Sequence, residues 1–149
     1  MLDTTIPAQG TGELDDQDLA WLDAELAGSV PTPTLLAMHH PPLLTGSPEW
    51  DRVALSERSC QRLSQTLKDC PHVRQILGAH LHRPLLARTE GYTLVVAPST
   101  YAQFPFQTIP GELGPSNEPP GYVVHQIAED GAITSYFQAV IQAPAGRSN

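Results

Sequence analysis

The chain has six histidines, and four of them fall into two tight groups, His39-His40 and His80-Leu81-His82. Neutral imidazole is the commonest protein ligand for metal ions, so grouped histidines are the first place to look for chemistry. Each group closes a short apolar run, Thr34-Leu35-Leu36-Ala37-Met38 for the first and Val73-Arg74-Gln75-Ile76-Leu77 for the second. Runs of this length and composition read as buried strands. Both groups therefore stand at strand ends, where ligands collect in open α/β sheets. An extended backbone repeats its side-chain direction at every second residue, so Gly78-Ala79-His80-Leu81-His82 is expected to aim both imidazoles the same way. A single histidine ending a strand is ordinarily just solvated. Two groups at two equivalent ends point to metal ligation. His72 and His125 have no such company and read as structural.

Other residues have two readings each. Trp50, beside Asp51 in the loop Leu43–Asp51, either walls a substrate pocket or packs over the sheet edge. Arg83 either neutralises a phosphate oxygen next to the metals or caps its own turn. Ser99 and Thr100 lack a histidine–acid partnership, which argues against a nucleophilic serine.

The elements that must carry these residues follow from pattern and punctuation. Asp15 is a helix N-cap with Asp16 and Asp18 in the first turn, where the helix dipole favours anions. Leu14 and Leu19 stand at staple positions, and Leu19, Leu22 and Leu26 form the buried stripe of a helix that Gly28 ends. Pro31 and Pro33 lead into the first strand, and Pro41-Pro42 stop it behind the histidines. A second helix is capped at Ser56 and buries Cys60, Leu63 and Leu67. The strand over Val73–Leu77 follows. Beyond Pro84 the pattern is all strand: Leu85–Arg88 and Tyr92–Ala97 around Glu90-Gly91, then Tyr122–Ile127 and Ile133–Val140 around Glu129–Ala132. Met1–Pro7 is β-prone. Residues 102–120 carry prolines without periodicity and read as an ordered loop or lid, and Ala143–Asn149 as a frayed tail. The fold class is α/β leading into antiparallel β.

Composition bounds the partners. At 149 residues the chain has room for a core, and 16 acids against 8 bases give a net charge of −8. That field repels nucleic acid and anionic membrane, so a phosphate-containing substrate needs a local positive charge such as a metal. Cys60 and Cys70 flank one expected helix, and ten residues of helix would set them about 15 Å apart in rise, beyond disulfide reach. With no secretory leader or membrane-length apolar run visible, this reads as a cytoplasmic chain.

Three motifs carry a resemblance. Met38-His39-His40-Pro41-Pro42, Gly78-Ala79-His80-Leu81-His82-Arg83-Pro84 and Ala97-Pro98-Ser99-Thr100-Tyr101-Ala102-Gln103-Phe104 resemble the calcineurin-like metallophosphoesterases, with bacterial class III cyclic-nucleotide phosphodiesterases the nearest likeness. The likeness extends over most of the chain, including Trp21-Leu22-Asp23. It implies an αββα sandwich with two divalent ions, variously iron, manganese or zinc, at the strand ends. It implies that His39 and His80 bind one metal and His82 the other, with His40 at a position that is usually not a ligand. It further implies metal-dependent hydrolysis of a phosphodiester small molecule such as a cyclic nucleotide, with Gly46–Asp51 lining the substrate pocket.

The family's Asp-x-His, Gly-Asp-x-x-Asp and Gly-Asn-His-Asp/Glu motifs have no counterpart in these 149 residues. The expectation is therefore the C-terminal half of the domain, residues 1–142, incomplete as a dinuclear centre and inactive or nearly so alone. Ala79 stands where the family has glycine, which would cost on the order of 1 kcal/mol if that backbone needs positive φ. Two other readings stand beside this one. A truncated homologue would act as a binding module, self-associating or pairing with a complementing N-terminal half. A cupin-like mononuclear metal protein would share His-x-His but place an acid closer than Glu90.

Overall fold

The Asp15 carboxylate accepts hydrogen bonds from the backbone N–H groups of Gln17 (2.7 Å) and Asp18 (2.9 Å), and Asp18 accepts one in return from Asp15 N–H (3.0 Å). These reciprocal caps start helix α1, Asp16–Gly28, whose buried residues are Leu19, Leu22 and Leu26. The computed structural model describes residues 1–28, 32–89, 91–112 and 114–141. The expected turn residue Glu90, the lead-in residue Pro31 and the tail Ala143–Asn149 lie outside the described residues.

Strand β1 (Thr34–Ala37) is followed by a one-turn helix α2 (Pro48–Asp51), helix α3 (Glu57–Lys68) and strands β2 (Val73–Gly78), β3 (Leu85–Arg88), β4 (Thr93–Val96), β5 (Gly121–Ile127) and β6 (Ile133–Ala139). Ser56 caps α3 by accepting from Ser59 N–H. The first sheet has the order β1-β2-β4-β3, with β1–β2 and β2–β4 parallel and β3–β4 antiparallel. Leu36, Ile76, Leu94 and Val96 from this sheet join Leu19, Leu22, Leu26, Leu63 and Leu67 from the helices in one core. Gln75 points away from Ile76, because side chains alternate across a strand. It is 5% exposed and donates to His125 Nδ1 and Ser135 Oγ, both at 3.2 Å, of the separate antiparallel sheet β5–β6. The layers are thus helices, a mixed four-stranded sheet, then the hairpin sheet. The parallel pairs do not suit an antiparallel cupin barrel.

Because β1, β2 and β4 run parallel, their carboxyl ends open on the same edge. Backbone bonds continue the ladder past that edge, from Met38 N–H to Leu77 O (2.9 Å), Ala79 N–H to His39 O (3.0 Å) and Ala97 N–H to Gly78 O (2.9 Å). Two local expectations change. The β-prone opening segment forms only isolated bridges, Leu2 with Met38 and Thr5 with Gly12, and works as a buttress beside β1. The loop before α3 contains α2, where Pro48 supplies the fixed φ that suits a first helical turn.

Candidate metal centre

The Gly78–His82 turn is not extended. His80 has φ 66° and His82 has φ 50°, both left-handed, and Leu81 N–H bonds back to Ala79 O at 2.7 Å. That bond closes a tight turn centred on His80, a strained geometry for a residue with a Cβ. Leu81, 2% exposed, is driven into the core between the histidines. The expectation that both imidazoles share a direction is therefore corrected. The turn splays them, His80 toward His39 and His40, His82 toward the Ala102–Phe104 backbone. Strain suspected at Ala79 falls instead on the two histidines, since Ala79 is not among the left-handed residues.

On the first side, His80 Nδ1 and His39 Nε2 stand 3.1 Å apart. Two nitrogens each about 2.1 Å from one metal sit roughly 3.0–3.4 Å apart, so the spacing fits a shared ion. Burial, followed by the neighbouring His40 and His39, pushes the His80 pKa down to about 4, against a weaker opposing pull from the Val53 backbone. Burial and then the His40 charge also lower that of His39, with nearby Asp3 opposing them. Both shifts favour the neutral form, the one that binds metal, although His39 is itself exposed. His80 Nε2 is buried without a hydrogen bond of good geometry.

His39, His40 and His80 offer ring nitrogens within 4.8 Å of one another, which makes His40 a geometric candidate as well. Its nitrogens are already engaged. Nε2 is 3.1 Å from Gly10 O, a carbonyl that can only accept, so Nε2 carries the proton. Nδ1 then accepts from the Thr4 hydroxyl at 2.9 Å. His40 is 3% exposed, and a Cβ on Gly12 would stand 2.5 Å from its ring, so the imidazole is clamped as a support. Thr4 and Gly12 had no signal in the sequence. Their roles come from contacts made far along the chain.

On the second side, His82 Nδ1 donates to Ala102 O at 3.0 Å, and its ring stacks on Phe104 with centroids 4.8 Å apart and planes 1° from parallel. Arg83 forms a two-point ion pair with Glu118 and donates to Phe104 O at 3.1 Å. In the ligand-free chain a carboxylate faces the guanidinium, so a phosphate oxygen at Arg83 would compete with Glu118. Trp50 is 3% exposed, belongs to the core and packs on Phe106 at 5.5 Å, the contacts that its packing reading expects. Asp51 accepts from Thr45 N–H (2.7 Å), Thr45 Oγ (2.8 Å) and Gly46 N–H (3.0 Å), which spends its carboxylate on the Thr45–Gly46 turn.

No family-wide sequence profile matches the chain. Individual relatives do. The chain is similar to the 3′,5′-cyclic adenosine monophosphate phosphodiesterase CpdA of Escherichia coli, 36% identical over 104 residues, which cover 70% of this chain and 37% of the relative. It is similar to a 3′,5′-cyclic-nucleotide phosphodiesterase of Nostoc sp., 32% identical over 129 residues, covering 87% and 47%. It is similar to the glycerophosphodiester phosphodiesterase GpdQ of Enterobacter lignolyticus, 30% identical over 105 residues, covering 70% and 37%. The chain spans less than half the length of these curated relatives.

Proposed function

The chain belongs to the metallophosphoesterase family that includes the bacterial cyclic-nucleotide phosphodiesterases, and from that premise we propose that it forms one wall of a phosphodiester-hydrolysing metal centre. Residues 1–142 correspond to the C-terminal part of the family domain. His39 through Nε2 and His80 through Nδ1 would hold one divalent ion, iron, manganese or zinc, and His82 through Nε2 a second. When bound, such ions neutralise phosphoryl oxygens and acidify the attacking water. The chain's own part is to favour the neutral form of His80 by burial, to bring His39 beside it, to brace them with His40, and to pair Arg83 with Glu118. A cyclic nucleotide is the leading substrate class and a glycerophosphodiester the next, following the relatives' activities. The compartment that fits this reading is the cytoplasm; no described helix is long and apolar enough to cross a membrane.

The observation that carries this reading is the 3.1 Å approach of His39 Nε2 and His80 Nδ1. Calorimetric titration of the purified chain with zinc or manganese tests it: binding that His39→Ala and His80→Ala each remove supports the centre, and no binding overturns it. Turnover of bis(p-nitrophenyl) phosphate is expected to be absent or nearly so, because no carboxylate joins the histidine group among the described residues. Hydrolysis that His82→Ala abolishes would overturn that expectation.

A second reading has its own support. The outward face of the hairpin sheet exposes Tyr122, Val124 and Tyr136, each 46%. A non-catalytic module would use that face against a second copy or against a chain supplying the N-terminal half. Sedimentation showing a concentration-dependent dimer, together with absent metal, favours it.

A further inference from the structure

The stretch Ala97–Phe104 holds no metal in the reading above, yet it is tied to His82 from several directions. We propose that Ser99, Gln103 and Phe104 are positioning residues that lock the His82 ring, so that Nδ1 carries the proton and Nε2 is the free lone pair. What Nε2 then does rests on the metal-centre reading; which nitrogen is free does not.

A carbonyl has no proton to give, so the 3.0 Å contact between His82 Nδ1 and Ala102 O requires Nδ1–H. The proton's place is thus set by the position of one backbone oxygen. Ser99 Oγ accepts from Tyr101 N–H (3.1 Å) and Ala102 N–H (3.2 Å), folding the turn that presents that oxygen. Gln103, 3% exposed, receives Ser99 N–H on Oε1 (3.1 Å) and donates Nε2 to Ser99 O (2.7 Å) and Pro119 O (3.3 Å). Its own carbonyl accepts from Ser116 N–H at 2.8 Å. One buried amide therefore fastens both ends of the 102–120 segment. Phe104 fixes the remaining freedom, the rotation of the imidazole. Its ring lies parallel to that of His82, and its N–H bonds His82 O at 3.2 Å. A ring held in plane keeps Nδ1 on the carbonyl and turns Nε2 away from it. Partners of this kind set the tautomer and the aim of metal-binding histidines, and losing them typically costs 10–100-fold in metal affinity.

The test is the histidine tautomer in the metal-free chain, read from long-range proton–nitrogen correlation spectra at mildly alkaline pH, with His82→Asn assigning the signal. The intact chain is expected to show His82 as a single Nδ1–H tautomer. Ser99→Ala and Phe104→Leu, which keeps apolar bulk without a stacking ring, are expected to mix the two tautomers, while Phe104→Tyr keeps the single form. Gln103→Ala is added only where the backbone amide spectrum of the remaining residues is unchanged, since its burial can cost the fold. In zinc titrations the shift of the His82 signal is expected to need about tenfold more metal in Phe104→Leu than in the intact chain. An Nε2–H tautomer in the intact chain, or an undisturbed Nδ1–H form in both Ser99→Ala and Phe104→Leu, overturns the proposal. A locked tautomer in a chain whose His82 ignores zinc upholds the positioning and overturns the second metal's place at His82, leaving the His39–His80 reading to its own titration.

Discussion

His80 and His82 stand two residues apart on one turn, share the same left-handed backbone and are supported in opposite ways. His80 meets other histidines: its Nδ1 faces His39, its ring lies 4.3 Å from that of His40, and among the described residues no hydrogen bond of good geometry reaches its far nitrogen. His82 meets a loop that fills one nitrogen with a carbonyl and one ring face with Phe104. The first is held among other imidazoles, one of them at hydrogen-bond distance, and the second by the backbone and ring of a loop. Crowded neutral imidazoles resist protonation and gain a great deal from a cation placed between them, whereas a bonded imidazole is already oriented before any ligand arrives. The two halves of one motif are thus prepared differently for the same task.

The turn that separates them is the most damaging place to intervene. Leu81→Ala removes the plug between the histidines and is expected to cost about 2–5 kcal/mol, read as a lower midpoint in denaturant unfolding. An unchanged midpoint would mean that the histidines, and not the core, hold the turn. Ligand removal then divides the two sides: with zinc, His80→Ala should erase the His39 response while leaving that of His82, and loss of both together would join what the geometry separates. Acid tests the crowded side alone. His80 has its pKa depressed from 6.5 to about 4, so the unfolded chain takes up its proton first. Its contribution to stability is complete above about pH 6.5 and is lost as the pH falls toward 4. The metal-free chain should therefore weaken across that window, less steeply in His80→Gln, and a flat profile would contradict the burial argument. His40→Ala leaves the Thr4 hydroxyl and Gly10 carbonyl with fewer partners and should cost about 1–3 kcal/mol without changing which residues bind zinc. The smallest effect belongs to the bonded side's outer tie. Glu118→Gln breaks an exposed ion pair and should leave the unfolding midpoint nearly unchanged, its effect seen as faster amide exchange near Ser116.

Much of the framework was legible in the sequence because it repeats or is capped locally. The Leu19, Leu22 and Leu26 stripe, the Asp15 and Ser56 caps and the strands around His39 and His80 all follow from short-range periodicity and from polar side chains reaching nearby N–H groups. The pairing of His39 with His80 came from resemblance, and the structure brings those two nitrogens together. What the residues alone did not show depends on distance or on sign. Arg83 and Glu118 are 35 positions apart, Thr4 and His40 are 36, and no local pattern announces such contacts. The turn at His80 reverses the sign of φ, and alternation arguments assume the opposite sign. Trp50 had two open readings, pocket wall or packing, and the contacts that place it in the core are with residues distant in sequence.

Gly12 is the feature with the widest reach. Its backbone is bound on both sides, N–H to Ala54 O at 3.2 Å and carbonyl to Ser56 N–H at 2.9 Å, so the chain there has little freedom to retreat. Its φ is not in the left-handed region; the requirement is for room beside His40. In a scan of every amino acid at every position, even alanine is expected to fail at such a site. The damage would also arrive in an unusual order. The imidazole must give way before the main chain does, so variants at position 12 would disturb the histidine group while the protein still folds, and would separate loss of the site from loss of the protein.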